Sequence, residues 1–170
     1  MPKGVSMSAL LDAAMKLLSE RPYTERELSK QLEKSFADKP DIDSLIPSTI
    51  KRLNELHLIS DHRLAESTAQ RYAHKGNRFT IQSLRQRGVS DEVIDEVLAN
   101  LGDEYPRALD EARRKSRGLR DEHPEKSKTR IYRFLSGRGF SHETIKEVCK
   151  QLSEEGFFSA ANRQEKSEFE

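Results

Sequence analysis

An internal repeat constrains this chain more than any other feature. Residues 84–97 read Leu84-Arg85-Gln86-Arg87-Gly88-Val89-Ser90-Asp91-Glu92-Val93-Ile94-Asp95-Glu96-Val97. Residues 135–148 read Leu135-Ser136-Gly137-Arg138-Gly139-Phe140-Ser141-His142-Glu143-Thr144-Ile145-Lys146-Glu147-Val148. The shared frame is a helix end, Arg-Gly, an apolar residue, Ser, and then x-Glu-x-Ile-x-Glu-Val, with an offset of 51 residues from Gly88 to Gly139. Short helical units of this kind bury only a small core each, and stacking on a neighbour adds the rest. The expected fold is all-α: three tandem three-helix repeats forming an elongated, curved array.

Apolar spacing fills in the units. Leu10, Leu11, Ala14, Leu17 and Leu18 recur at helical intervals until Arg21-Pro22, where proline interrupts the hydrogen-bond ladder. Thr24 lies three residues before Glu27, a capping-box pattern that opens a helix carrying Leu28, Leu32 and Phe36. Ala37 to Asp43 reads as a loop, and Pro47 as the first turn of a third helix with Ile50, Leu53 and Leu56. Leu58-Ile59 closes that core. Ser60 or Asp61 caps the next helix, which runs to about Lys75. Ser90 and Ser141 cap the helices that bury Ile94 and Val97, and Ile145, Val148, Cys149 and Leu152. The expected boundaries are 8–59 (a divergent repeat with an insertion at 37–43), 60–102, 104–152, and a flexible acidic tail at 153–170. A supply of 34% hydrophobic against 35% charged residues suits several small cores better than one large one.

Charge is segregated under a near-neutral total. Thirty Lys and Arg face 29 Asp and Glu. From Arg71 to Val89 every charged residue is basic: Arg71, Lys75, Arg78, Arg85 and Arg87. From Asp91 to Glu104 every one is acidic. From Arg107 to Arg138 there are eleven bases and five acids. Arginine dominates the basic blocks, which suits paired contacts to carboxylate or phosphate. The candidate partner- or DNA-binding residues are Arg71, Lys75, Arg78, Arg85 and Arg87, with Arg113, Arg114, Arg117, Lys128, Arg130, Arg133 and Arg138. For any one of them a solvated helix face is the plainer reading.

Catalytic chemistry finds little support. The five histidines form no His-x-x-x-His pair, and the lone Cys149 has no ligand companion, so neither a metal nor another cofactor is expected. The glycines make no phosphate-binding loop. Cys149 falls on an apolar stripe and reads as a small buried hydrophobe. One cysteine and no apolar run of about 20 residues fit a cytoplasmic protein with no membrane contact. No enzymatic activity is expected.

Three segments carry a family resemblance. Leu58-Ile59-Ser60-Asp61-His62-Arg63-Leu64-Ala65-Glu66 resembles the RecX family's most diagnostic stretch, with Leu64 where the family usually has Phe. Gly76 through Ile81-Gln82-Ser83-Leu84-Arg85-Gln86-Arg87-Gly88-Val89 resembles the segment that follows it. Phe134-Leu135-Ser136-Gly137-Arg138-Gly139-Phe140-Ser141 resembles the family's third-repeat ending. The resemblance spans residues 8–152. It implies a monomeric regulator that binds the RecA–DNA filament and inhibits its ATP hydrolysis and strand exchange, modulating recombination, the SOS response and DNA repair. Direct contact with single-stranded DNA is a second implied partner. The alternative is a stand-alone helical protein that grips the DNA phosphate backbone.

Overall fold

The computed structural model describes residues 5–119 and 122–159. Within them are nine α-helices: α1 (Met7–Glu20), α2 (Glu25–Ser35), α3 (Ile42–Glu55), α4 (Asp61–Arg71), α5 (Asn77–Arg87), α6 (Asp91–Leu101), α7 (Glu104–Ser116), α8 (Pro124–Gly137) and α9 (His142–Glu154). A short 3-10 turn, Arg117–Leu119, follows α7. The fold is all-α, in three tandem three-helix repeats, and no described residue is in a strand.

Local chemistry explains the starts. Thr24 accepts from the Glu27 amide while Glu27 accepts from the Thr24 amide, so the capping box forms in full. Ser141 accepts from the Thr144 amide at the head of α9. Ser60 and Ser90 hold weaker versions of the same bond, to Arg63 and Val93.

Two compact units divide the chain: Met1–Thr68 with Ser83–Val97, and Ala69–Gln82 with Leu98–Glu170. The second repeat is shared between them. The core of the first unit joins Leu10 and Ala14, Leu28 and Leu32, Ile42, Ile46, Ile50 and Leu53, and Ile59. The core of the second joins Ala108 and Ala112, Leu119, Ile131 and Leu135, Phe140, and Ile145, Val148, Cys149 and Leu152.

Three details differ from the sequence reading. The segment 37–43 is not wholly loop: a turn over 36–41 leads into α3 at Ile42. Burial of Ile42 and Ile46 extends the helix backwards and leaves Pro47 inside it. Leu58 does not close the first core. It is 42% exposed and Leu56 46%, while Ile59 alone turns inward. The tail does not begin at 153. Helix α9 runs to Glu154, and Glu155 is held by Arg113. Gly156 then takes a left-handed φ of 74°, and the Phe157 amide bonds back to the Leu152 carbonyl at 2.9 Å. That closure lays Phe157 and Phe158 on the second core. The rest of the expected tail, 160–170, lies outside the described residues.

The repeated Arg-Gly-apolar motif is a helix stop. Gly88 and Gly139 have φ of 85° and 86°, a region open to glycine at no steric cost. The Val89 amide reaches the Leu84 carbonyl and the Phe140 amide the Leu135 carbonyl, at 3.1 and 3.2 Å. Val89 and Phe140 are thereby buried. The arginine carbonyl before each glycine then binds an earlier repeat. Arg87 O accepts from the Thr24 hydroxyl at 2.7 Å, and Arg138 O accepts from the Gly76 amide at 2.9 Å.

An acid completes each junction. Asp61, first residue of α4, accepts from the Glu25 amide at 2.9 Å, satisfying an amide at the start of α2. Glu104, first residue of α7, accepts from the Asn77 amide at 2.6 Å in the same way. Its second oxygen takes the Ser141 amide and the Thr144 hydroxyl, both at 3.0 Å. In the sequence Glu104 ends the acidic run that begins at Asp91. It is 8% exposed and ties helices together.

Candidate functional site

The twelve candidate cations have different fates, and the junctions claim the two that the repeat makes most visible. Arg87 forks onto Glu27, with Nε and Nη2 each 2.9 Å from a carboxylate oxygen, and Nη2 also reaches the Pro22 carbonyl. Burial pushes the Glu27 carboxyl up, but the Arg87 bond, the Thr24 amide and the charges of Arg87 and Arg21 outweigh it. The group is lowered to about 2. Arg138 lies over the Phe134 ring at 4.5 Å and meets Glu111 and the His74 carbonyl.

Other candidates are tied more loosely. Arg78 donates to the Ser136 carbonyl. Lys75 sits over the Phe79 ring at 3.6 Å. Arg85, Arg113, Arg114 and Arg130 pair with Asp91, Glu155, Glu111 and Glu122. These pairs are at least half open to solvent on the arginine side, apart from Arg113 at 48%, so an incoming anion can compete for them. Arg107 is outside the candidate set and half-buried. It holds the Ala73 and Lys75 carbonyls and Asn77 Oδ1, and burial lowers its pKa.

Arg71, Arg117, Lys128 and Arg133 are exposed and make no ion pair among the described residues. The structure brings two of them together. Lys128 and Arg133 stand on α8 along a groove whose other wall, on α9, carries Lys146 and Lys150. The groove encloses about 730 Å³. Among the described residues Glu125 is the one acid lining it, and Lys150 has Glu154 at 3.9 Å. Cys149 forms part of the floor. Burial raises its thiol pKa against the smaller opposing pull of Lys128, so the sulfur is held as a neutral thiol.

Tyr132 lies in the same groove, 36% exposed, its hydroxyl 2.6 Å from His142 Nδ1. The sequence reading missed Lys146, Lys150 and Tyr132. Its signal for α9 was the apolar stripe, yet Lys146 and Lys150 recur at i, i+4 on the flank of that stripe. Such a groove can hold phosphate or carboxylate groups by charge and hydrogen bonding.

Comparison with known proteins identifies the fold and the third repeat. The model of the third three-helix domain of RecX matches residues 103–149. The chain is similar to the regulatory protein RecX of Chlorobium phaeobacteroides, 33% identical over 145 residues, covering 83% of this chain and 91% of that protein. It is similar to the regulatory protein RecX of Chlorobaculum tepidum, 35% identical over 146 residues, with 84% and 88% covered. The crystal structure of RecX from Lactobacillus salivarius superposes with a TM-score of 0.76 at 23% identity, covering 86% of this chain and 96% of that one. At that identity the likeness speaks for the fold alone.

Proposed function

The chain belongs to the RecX family, and from that premise we propose that it is a non-enzymatic regulator that binds the RecA–DNA filament and restrains it. The observation that carries this reading is similarity along nearly the whole length of relatives named regulatory protein RecX. The relatives supply the regulatory role. The recombinase as partner, and the damping of its ATP hydrolysis and strand exchange, are the finer steps of the proposal. The protein acts in the cytoplasm as a monomer, without a cofactor.

The charge distribution supports this reading physically. Exposed cations recur in the second and third repeats, from Arg71 through Arg117 to Lys128 and Arg133. Weak contacts spread over tandem repeats add through effective concentration, so no single strong site is required. Paired arginines such as Arg85 and Arg130 can exchange an intramolecular carboxylate for one on a partner.

The test is the single-strand-dependent ATPase of RecA, measured while this protein is titrated from sub-stoichiometric to stoichiometric amounts. Turnover is expected to fall severalfold over that range. Unchanged turnover with folded protein removes the reading. The exposed cations spread over the second and third repeats favour one second reading, a DNA-binding protein that needs no recombinase. That reading requires tight, steeply salt-dependent binding to bare DNA, whereas a filament regulator prefers RecA-coated DNA.

A further inference from the structure

The α8–α9 groove occupies the position in the third repeat that the α2–α3 groove occupies in the first. The buried positions Ile46, Thr49, Ile50 and Leu53 of α3 have the same spacing as Ile145, Val148, Cys149 and Leu152 of α9. Laying one set on the other puts Pro47 against Lys146, Lys51 against Lys150 and Asn54 against Ser153. All six line their respective grooves. The match extends to the second helices. The junctions pair Thr24 with Gly76, and the internal repeat carries Asn77 on to Lys128, so Glu25 corresponds to Lys128 and Ser29 to Tyr132.

The two grooves differ in what lines them. Asp61, Gly88, Ser90 and Val93 of the next repeat join α2 and α3 in lining the first, which itself encloses about 970 Å³. The leading acid, Asp61, bonds the head of α2. The next junction repeats the device, with Glu104 bonding the head of α5. In the third repeat the lining among the described residues comes from α8 and α9 alone, and it is cationic: Lys128, Arg133, Lys146 and Lys150 against Glu125. A solvated face needs polar residues, but mixed charge would serve that purpose. Lys128, Arg133 and Lys146 have no acidic partner among the described residues, and that bias requires another explanation.

We propose that this groove docks an acidic segment of a protein partner along α8 and α9. Lys128, Arg133 and Lys146 explain why it is acidic. A nucleic-acid strand fits less well, because binding without sequence readout stacks successive bases on several aromatic rings, and among the described residues Tyr132 is the one aromatic side chain lining the groove. The proposal goes beyond the RecA reading, since it depends only on this face.

The experiment uses the full chain and a fluorescein-labelled amphipathic peptide, rich in Glu and Leu and opening on Ser-Asp, followed by fluorescence anisotropy. The controls are the same peptide with Gln for Glu, a labelled oligothymidylate, and the double variant Lys128→Glu, Lys146→Glu. Both lysines are exposed, so the variant is expected to keep its helicity and melting temperature. Tenfold or greater weakening is expected for the Gln peptide, and again for the acidic peptide on the double variant. The oligothymidylate is expected to bind more weakly than the acidic peptide. Equal peptide binding by wild type and variant overturns the proposal, as does failure of the acidic peptide to bind. Tighter binding of the oligothymidylate, lost in the variant, assigns the groove to nucleic acid and also overturns it. No recombinase is present, so the outcome leaves the ATPase test independent.

Discussion

The two junctions solve one problem with different chemistry. In the first unit, Thr24 reaches the Arg87 carbonyl through a hydroxyl, and Arg87 returns a forked ion pair to Glu27. In the second, Gly76 has no side chain, and its amide meets the Arg138 carbonyl directly. A Cβ at Gly76 would collide with the backbone of Gly139 and Phe140. A Cβ at Gly88 would meet side-chain atoms of Arg26 rather than backbone, at a position whose positive φ already favours glycine. The first junction is therefore a charged, side-chain contact and the second a close backbone contact. The comparison also shows what the repeated Arg-Gly is for. It is a stacking device before it is a binding motif, and Arg87 and Arg138 are only partly exposed, each tied into its junction.

The largest expected effect tests the close contact. Gly76→Ala should cost about 3 kcal/mol or more, because rigid backbone has to shift. Chemical denaturation of the full chain measures it, and a loss below about 1 kcal/mol would mean that the approach is looser than described.

Next comes the charged junction. Glu27→Gln should cost about 2 kcal/mol, since Arg87 loses its charged acceptor. The wild-type contribution also has a pH signature. The folded carboxyl titrates at about 2 against an ordinary 4.5, so its stabilisation is complete above 4.5 and fades as pH falls from there towards 2. Stability of Glu27→Gln should therefore fall less steeply with acid than wild type. Parallel curves would show that the pair contributes nothing.

The smallest effect has the opposite sign. Burial raises the Asp61 pKa from its ordinary 3.8; the Glu25 amide opposes this, while the Glu25 and Glu27 charges reinforce it. A raised carboxyl favours the folded state at low pH and loses that advantage as pH rises through its folded value. Asp61→Asn keeps an oxygen for the Glu25 amide and removes the repulsion. At neutral pH it should be about 0.5 kcal/mol more stable, read as a small rise in melting temperature. A fall would show that the negative charge itself serves the junction.

The sequence alone determined the helices, most of their caps and the repeat, because these depend on residues within a turn or two of each other. Thr24 with Glu27, the apolar intervals of α1 and α9, and the Gly-apolar endings are local signals. The start of α3 escaped because Pro47 suggested a first turn, whereas burial of Ile42 by distant residues decided it. Residues 157–158 looked like tail because their partners, α9 and the second core, come together only on folding. Charge was legible in number and order along the chain. Its availability was not, since pairing depends on residues far apart: Glu27 with Arg87, Glu155 with Arg113, Glu104 with Asn77 and Ser141. Only the tertiary structure separated the cations that hold repeats together from Lys128, Arg133, Lys146 and Lys150, which the packing of α8 on α9 lines up along one groove.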